Sequence, residues 1–321
     1  MRQLIASLLA LCVPCAVVAC DGDDGSDDTS TTTTSSSSGE QGGGGSGGGG
    51  AGGGGGGTGS LEVEMYSSDA AGPAVNSVLI SGAEEAILVD GQFMLADAEA
   101  VIAMVQASGK TLTTIFVTHA HPDHYLGLLP IQEAFPDAKV VSTASVVADY
   151  DAAAQATFDS LKPQLGPAIA DGITPLVAVS GDALELEGHT IRILEIPEPG
   201  ESVHAAALVL EAESTLIAGD LLYNDVHLVL SECGAEGWIE NLNTTIQPLA
   251  MERIFPGHGA VTTPEIIATD IDYIEQVTSI MDAAATPEEA TAQIQAAYPD
   301  YMSEFLLGFS VTNYFANCKQ P

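Results

Sequence analysis

From residue 61 onward, short apolar runs alternate with polar punctuation. Segments 61–66, 75–81 and 86–90 are rich in Val, Ile and Leu and are separated by Gly, Ser or Asp, which predicts three strands. Segment 96–107 is Ala-rich and ends before Gly109, which predicts a helix with a glycine stop. Strand 112–118, helix 127–135, strand 139–142 and helix 144–161 follow. The Pro- and Gly-marked stretch 163–175 reads as a loop or lid. Segments 183–187 and 190–196 form a hairpin about Gly188 and His189, and 206–211 with 214–218 form a second, ending at Gly219-Asp220. Helix 238–249, strand 253–255 and a tail that is helical in pieces from Pro264 complete the pattern. Strands precede helices in each half, so the expected architecture is layered α/β, with two sheets face to face and helices outside.

The first sixty residues have a different character. Residues 1–20 carry Arg2, an apolar stretch and then small residues, the pattern of a targeting signal. The apolar stretch is short for a membrane span. Val17-Val18-Ala19-Cys20 resembles the end of a bacterial lipoprotein signal, which implies lipid on Cys20 and a place in the cell envelope, on its periplasmic or extracellular face. Residues 21–60 are almost wholly Asp, Ser, Thr and Gly and have nothing to bury, so they read as a disordered tether with a reach of about 35 Å. Residues 61–321 are long enough for one large core.

The formal net charge is −37, from 7 basic and 44 acidic residues. A chain this acidic lacks the basic stripe that nucleic-acid binding requires, so nucleic acid is excluded as a partner. Cys12, Cys15 and Cys20 lie in the signal; Cys233 and Cys318 lie beyond it, and they either pair or stay as two thiols.

The chemistry concentrates at Thr118-His119-Ala120-His121-Pro122-Asp123-His124. Two residues apart in extended chain, His119 and His121 project to one side and can reach one ion. The chain then turns, and Asp123 and His124 can face a second. Imidazole with carboxylate is a ligand set expected of a catalytic zinc site, and no cysteine lies near.

These residues, followed by Leu126-Gly127-Leu128, resemble the signature of metallo-β-lactamase-fold hydrolases. Three further motifs match in order: Ile87-Leu88-Val89-Asp90-Gly91, Ile217-Ala218-Gly219-Asp220 and Phe255-Pro256-Gly257-His258-Gly259. The resemblance implies a four-layered αββα sandwich over 61–321 that holds two zinc ions, with iron or manganese as alternatives. It assigns His119 and His121 to the first ion, Asp123, His124 and His258 to the second, and Asp220 to both, with Asp90 as a buttress. The family's third imidazole for the first ion has two candidates here. Glu201 stands at the matching position and His204 three residues on. The preference for imidazole at such sites selects His204.

Asp123 is also a candidate to protonate the leaving group. Tyr223 matches an Asp-x-x-Tyr segment of lactonases of this fold, where the phenol stabilises an oxyanion; the other reading is a core tyrosine. His227 either lines the pocket and supports catalysis or is structural. The implied function is hydrolysis of an ester, lactone, thioester or amide of a small molecule by zinc-activated water. The alternative is a catalytically degenerate, lipid-tethered metal- or ligand-binding protein.

Overall fold

The computed structural model describes residues 59–70 and 72–319. The expected signal, the lipid-bearing Cys20 and all but the last two residues of the expected tether lie outside the described residues.

Two sheets form the centre. The first holds six strands in chain order: β1 (Glu62–Ser67), β2 (Asn76–Ser81), β3 (Glu85–Val89), β4 (Thr111–Phe116), β5 (Lys139–Ser142) and β6 (Val177–Ala178). The hairpins β1–β2 and β2–β3 are antiparallel, whereas β3 to β6 run parallel. The parallel pairs need crossovers, which α1 (Leu95–Ser108), α2 (Pro122–Tyr125), α3 (Leu128–Ala134) and α4 (Ala144–Leu165) supply. The second sheet has five strands in the order β11, β10, β9, β8, β7. These are β7 (Ala183–Leu186), β8 (His189–Glu195), β9 (Ala206–Leu210), β10 (Thr215–Asn224) and β11 (Arg253–Gly259). Helices α5 (Ala235–Asn241), α6 (Ile266–Ala283), α7 (Pro287–Ala297) and α8 (Glu304–Asn317) belong to its outer side.

Alternation along the strands makes the layers. Ile87 and Val89 of β3 and Phe116 of β4 meet Ile191, Ile193, Leu208 and Ile217 of the second sheet. Ala86, Leu88 and Ile115 turn the other way and pack on Val101, Val105, Leu128 and Tyr150 of the helices. On the far side, Ala207, Val209, Leu216 and Ala218 pack with Trp238, Tyr273, Val277 and Leu307. Side chains of opposite parity thus serve opposite faces, and the result is the expected four-layered sandwich.

Three expectations shift. The helix expected to stop before Pro163 continues to Leu165. Pro163 removes only one hydrogen bond near the helix end, and Lys162 gathers Ile169 O, Ala170 O and the Asp171 carboxylate, folding the next segment back. The helix expected over 238–249 starts at Ala235, then widens into a π turn at Leu242–Ile246 and tightens at Gln247–Leu249. Strand β10 runs on to Asn224 because it stays paired with β11 past the point where its pairing with β9 ends, Tyr223 opposite His258. Cys233 and Cys318 form a disulfide that ties the start of α5 to the end of α8. None of the described helices is long and apolar enough to cross a membrane.

Candidate metal centre

The site forms where strand ends of the two sheets meet. Strand β4 delivers Thr118 and His119, and α2 turns His124 back toward the same point. The turn is held by Asp90, just past β3 and in a left-handed conformation (φ 62°). Its Oδ1 accepts the Thr118 amide at 2.8 Å, and its Oδ2 accepts the Thr118 hydroxyl and faces His124 Nδ1, each at 2.8 Å. Gly127 lies so close to Gly91 that a Cβ there would collide with the Gly91 carbonyl.

Strand β10 brings Asp220 and β11 brings His258. The two strands touch at Gly257, where a Cβ would strike Asp220 Oδ1, while Gly219 (φ 54°) lies against the Thr118 side chain. His258 Nδ1 donates to the Pro73 carbonyl at 2.6 Å, which aims Nε2 at Asp220 Oδ2, 3.0 Å away. Tyr223 stacks on His258 with ring centroids 4.6 Å apart, and its hydroxyl donates to Asp220 Oδ2 at 2.6 Å.

Two groups of ligand-type atoms result. His119, His121, Glu201 and Asp220 form one; Asp123, His124 and His258 form the other; within each group the atoms lie within 4.8 Å of one another. Asp220 joins them, since its Oδ1 is 3.1 Å from His124 Nε2 and its Oδ2 is 3.7 Å from His119 Nε2. The structure brings His119, His121, Asp123, His124, Asp220 and His258 together.

His204 is a correction. Its side chain is 46% exposed and its Nδ1 pairs with Asp149 at 2.8 Å, away from the cage. Glu201, 3% exposed, takes the place, with Oε1 2.9 Å from His121 Nδ1 and Oε2 3.5 Å from His119 Nε2. The reason is the loop path. Gly200 is wedged against Trp238 and Gly234, and the Ala206 amide bonds the Thr118 carbonyl, so residue 201 faces inward and 204 outward.

His227 is a second correction. It sits in an aromatic pocket, its Nδ1 2.8 Å from the Tyr273 hydroxyl and its ring 5.6 Å from Tyr301, and it belongs to neither group. Its amide bonds Met302 O, so the C-terminal segment draws it into the core. Tyr223 is both a core residue and a neighbour of the cage, with its hydroxyl committed to Asp220. Sequence reasoning missed Glu232, whose Oε1 is 3.9 Å from His121 Nε2. Only its adjacency to Cys233 could have pointed to it.

The electrostatics are those of buried acids crowded among imidazoles. Burial pulls His121 down, but Glu201, Glu232 and Asp123 outweigh it and lift the imidazole to about 10. Burial raises Glu201 to about 7, helped by Asp220 and Asp123 and opposed by His121. His119 is driven well below its ordinary range by burial and by His124.

Whether cations fit this cage is decided by its unmet bonds. Among the described residues, His119 Nε2, His124 Nε2, Glu201 Oε2 and Asp220 Oδ1 are buried without a well-formed hydrogen bond and have only one another, His124 Nε2 3.1 Å from Asp220 Oδ1 and His119 Nε2 3.5 Å from Glu201 Oε2. Buried polar atoms are seldom left so, and four converging at one point call for a ligand that all can share. The second nitrogens of the rings are already fixed, by Thr118 for His119, Asp90 for His124 and Pro73 for His258, as metal-binding histidines require. The donor set fits a pair of divalent cations.

The sequence model of the metallo-beta-lactamase superfamily matches residues 71–258, and the chain belongs to that superfamily. Among curated proteins, YobT of Bacillus subtilis (strain 168) is 31% identical over 46% of this chain and 61% of its own length. The hydroxyacylglutathione hydrolase of Rhodopseudomonas palustris (strain BisB18) is 27% identical over 40% of this chain and 41% of its own length. The chain thus spans about half the length of these two relatives. The hydroxyacylglutathione hydrolase of Methylobacillus flagellatus is 26% identical over 70% of this chain and 77% of its own length. Among solved structures, a metallo-beta-lactamase family protein from Thermus thermophilus aligns with a TM-score of 0.52 and 23% identity, over 74% of this chain and 86% of that one. The metallo-beta-lactamase from Pontibacter korlensis aligns with a TM-score of 0.53 and 14% identity, over 67% and 99%. At these identities the solved structures speak for the fold alone.

Proposed function

We propose that this protein is a metal-dependent hydrolase that cleaves an ester, lactone, thioester or amide bond of a small molecule, held at the cell envelope by lipid on Cys20. The observation that carries the catalytic part is the convergence, at the junction of two sheets, of four buried ligand atoms whose only neighbours are one another. His119, His121 and Glu201 would hold one divalent cation, Asp123, His124 and His258 the other, and Asp220 would serve both. When bound, such a pair polarises a carbonyl oxygen and brings the ionisation of water toward neutral pH.

The chain's own residues do the rest. Asp90 and the Pro73 carbonyl hold the Nδ1 protons of His124 and His258, so the Nε2 atoms face inward and are the nitrogens that a cation would take. Tyr223 orients Asp220 through its hydroxyl. Asp123, with its side chain 17% exposed and 3.6 Å from His258 Nε2, is the carboxylate of the cage most open to solvent. It is therefore the group placed to pass a proton to a departing alcohol, thiol or amine.

The substrate is neutral at the end that enters. Glu232 stands over His121, and no ion pair links a described Lys or Arg to a residue of the cage. Lys162 and Arg192 are engaged by Asp171 and Glu211. The names of similar proteins, hydroxyacylglutathione hydrolase and atrochrysone carboxyl ACP thioesterase, support carbonyl hydrolysis as the reaction type.

The test is a panel of neutral p-nitrophenyl esters, thioesters and lactones with metal-loaded protein, beside His121→Ala. Turnover that His121→Ala loses supports the reading. Tight metal binding with no turnover across the panel favours the alternative, a metal-binding protein without activity, for which Glu201 in the cage is the argument. The anchor is tested by partitioning of Cys20→Ser into detergent; if it enters the detergent phase as the wild type does, lipidation fails.

A further inference from the structure

The cage has one residue that its expected ligand pattern lacks, and that residue changes its symmetry. With Glu201 inside and His204 outside, one half holds His119, His121 and Glu201, and the other His124, His258 and Asp123. Each half is two imidazoles and one carboxylate, with Asp220 between. We propose that Glu201 makes the two halves equivalent and shifts the cage's preference from zinc toward a pair of iron(II) or manganese(II) ions. This rests on the metal-hydrolase reading above.

Three observations carry it. The first is ligand type. Two histidines and a carboxylate with positions left open are a set that iron(II) takes and that catalytic zinc takes as well, but an oxygen donor in place of the third imidazole moves the balance toward manganese and iron(II). The second is the set of Glu201 itself. Its two oxygens face different histidines, Oε1 toward His121 and Oε2 toward His119, so the carboxylate can offer both to one ion. A bidentate carboxylate raises the coordination number beyond what zinc prefers. The third is charge. Asp123, Glu201 and Asp220 give the cage three carboxylates, one more than a site with a third imidazole would have. The extra anion favours ions that tolerate hard, charged ligands.

Nor is Glu201 an accident of a loose loop. It is 3% exposed, its Oε2 has no other partner, and the loop behind it is locked by the packing of Gly200 on Trp238. No third imidazole stands ready to replace it, since His204 is bound to Asp149.

Zinc outranks manganese and iron(II) in absolute affinity at most nitrogen and oxygen sites, so the informative quantity is a ratio. Metal-stripped wild type, Glu201→His and Glu201→Gln are titrated with Mn²⁺ alone and with Zn²⁺ alone against a chromophoric chelator, and the Mn²⁺ complexes are examined by electron paramagnetic resonance. Wild type is expected to take two Mn²⁺ per chain and show a spin-coupled pair. Glu201→His is expected to move the affinity ratio toward zinc by tenfold or more, and Glu201→Gln, which keeps size and removes charge, to move it the same way. A smaller change in both variants overturns the inference. Wild type that binds two Zn²⁺ with an unchanged ratio in the variants sinks this inference and leaves the hydrolase reading standing. Wild type that binds neither ion sinks both.

Discussion

Asp90 touches no substrate in this arrangement, yet replacing it with Asn should cripple one half of the cage while leaving the fold nearly intact. The Asp90 carboxylate accepts three hydrogen bonds, from the Thr118 amide, the Thr118 hydroxyl and His124 Nδ1, each at 2.8 Å. Because a carboxylate can only accept, His124 must keep a proton on Nδ1, so its Nε2, facing the cage, is the nitrogen that presents a lone pair once a cation displaces its proton. Asn has one accepting and one donating end. The Thr118 amide can only donate, so the Asn oxygen takes that bond and the NH₂ faces the Thr118 hydroxyl and His124 Nδ1. The hydroxyl can rotate and accept. His124 must accept as well, which moves its proton to Nε2 and blocks the lone pair.

The two readouts therefore separate. All three contacts survive in neutral form, and exchanging charged for neutral hydrogen bonds costs about 1–2 kcal/mol of stability. Asp90→Ala, by contrast, strands three buried donors at about 1–3 kcal/mol each. Metal affinity of the half-site with His124 should fall about 10- to 100-fold in Asp90→Asn, as expected when the partner of a ligand histidine is lost. The assay pairs urea unfolding of metal-stripped protein with titration of Zn²⁺ or Mn²⁺ against a chelator. Asp90→Asn that binds two ions with wild-type affinity would refute the tautomer argument, and a loss of stability as large as that of Asp90→Ala would refute the claim that the contacts are kept.

Three other outcomes are open to measurement. Gly257→Ala puts a methyl group into Asp220 Oδ1, so bound metal should drop to one ion or none per chain, with a packing cost of about 1–3 kcal/mol read by thermal unfolding. Joint replacement of Cys233 and Cys318 by Ser opens a link across 85 residues and should cost about 2–4 kcal/mol in urea unfolding; an unchanged midpoint counts against the bond. Burial lowers His227 from 6.5 to about 4, so the unfolded chain takes up that proton first. Stability from this group is complete above pH 6.5 and falls as pH drops toward 4, by up to about 3 kcal/mol, and the slope should shrink in His227→Gln. An equal slope in both proteins would show that His227 is not the group responsible.

What could be read from the sequence was what strands and short turns decide. His119, Asp220 and His258 lie on or just past strands that alternate apolar and small residues, and their glycines mark places where backbones touch. The match to the family's motif also pointed to position 201, but the chemical preference for imidazole drew the expectation to His204. The motif match was the better guide, because the loop's direction is set at long range, by Trp238 under Gly200 and by Thr118 bonding Ala206. His227 failed for the same kind of reason. Its partners Tyr273, Tyr301 and Met302 come from the C-terminal helices and turns, whose approach no local pattern announces. Glu232 is held near His121 beside a disulfide that spacing alone left open.

The cage also explains why so acidic a chain can bury carboxylates at its centre. Glu201 and Asp220 are almost fully covered, and isolated buried carboxylates are costly. Positive charge must accompany them, and among the described residues no Lys or Arg pairs with them. Without cations the histidines do so: His121, His124 and His258 are all held above their ordinary range by these acids, burial notwithstanding. His119 is the exception, kept neutral by burial and by its imidazole neighbours. Protons and divalent cations thus compete for one set of atoms, and each cation that enters must displace protons from the rings it binds. Metal affinity then falls with acidity not because the fold fails but because the same carboxylates that attract the metal have already found another cation.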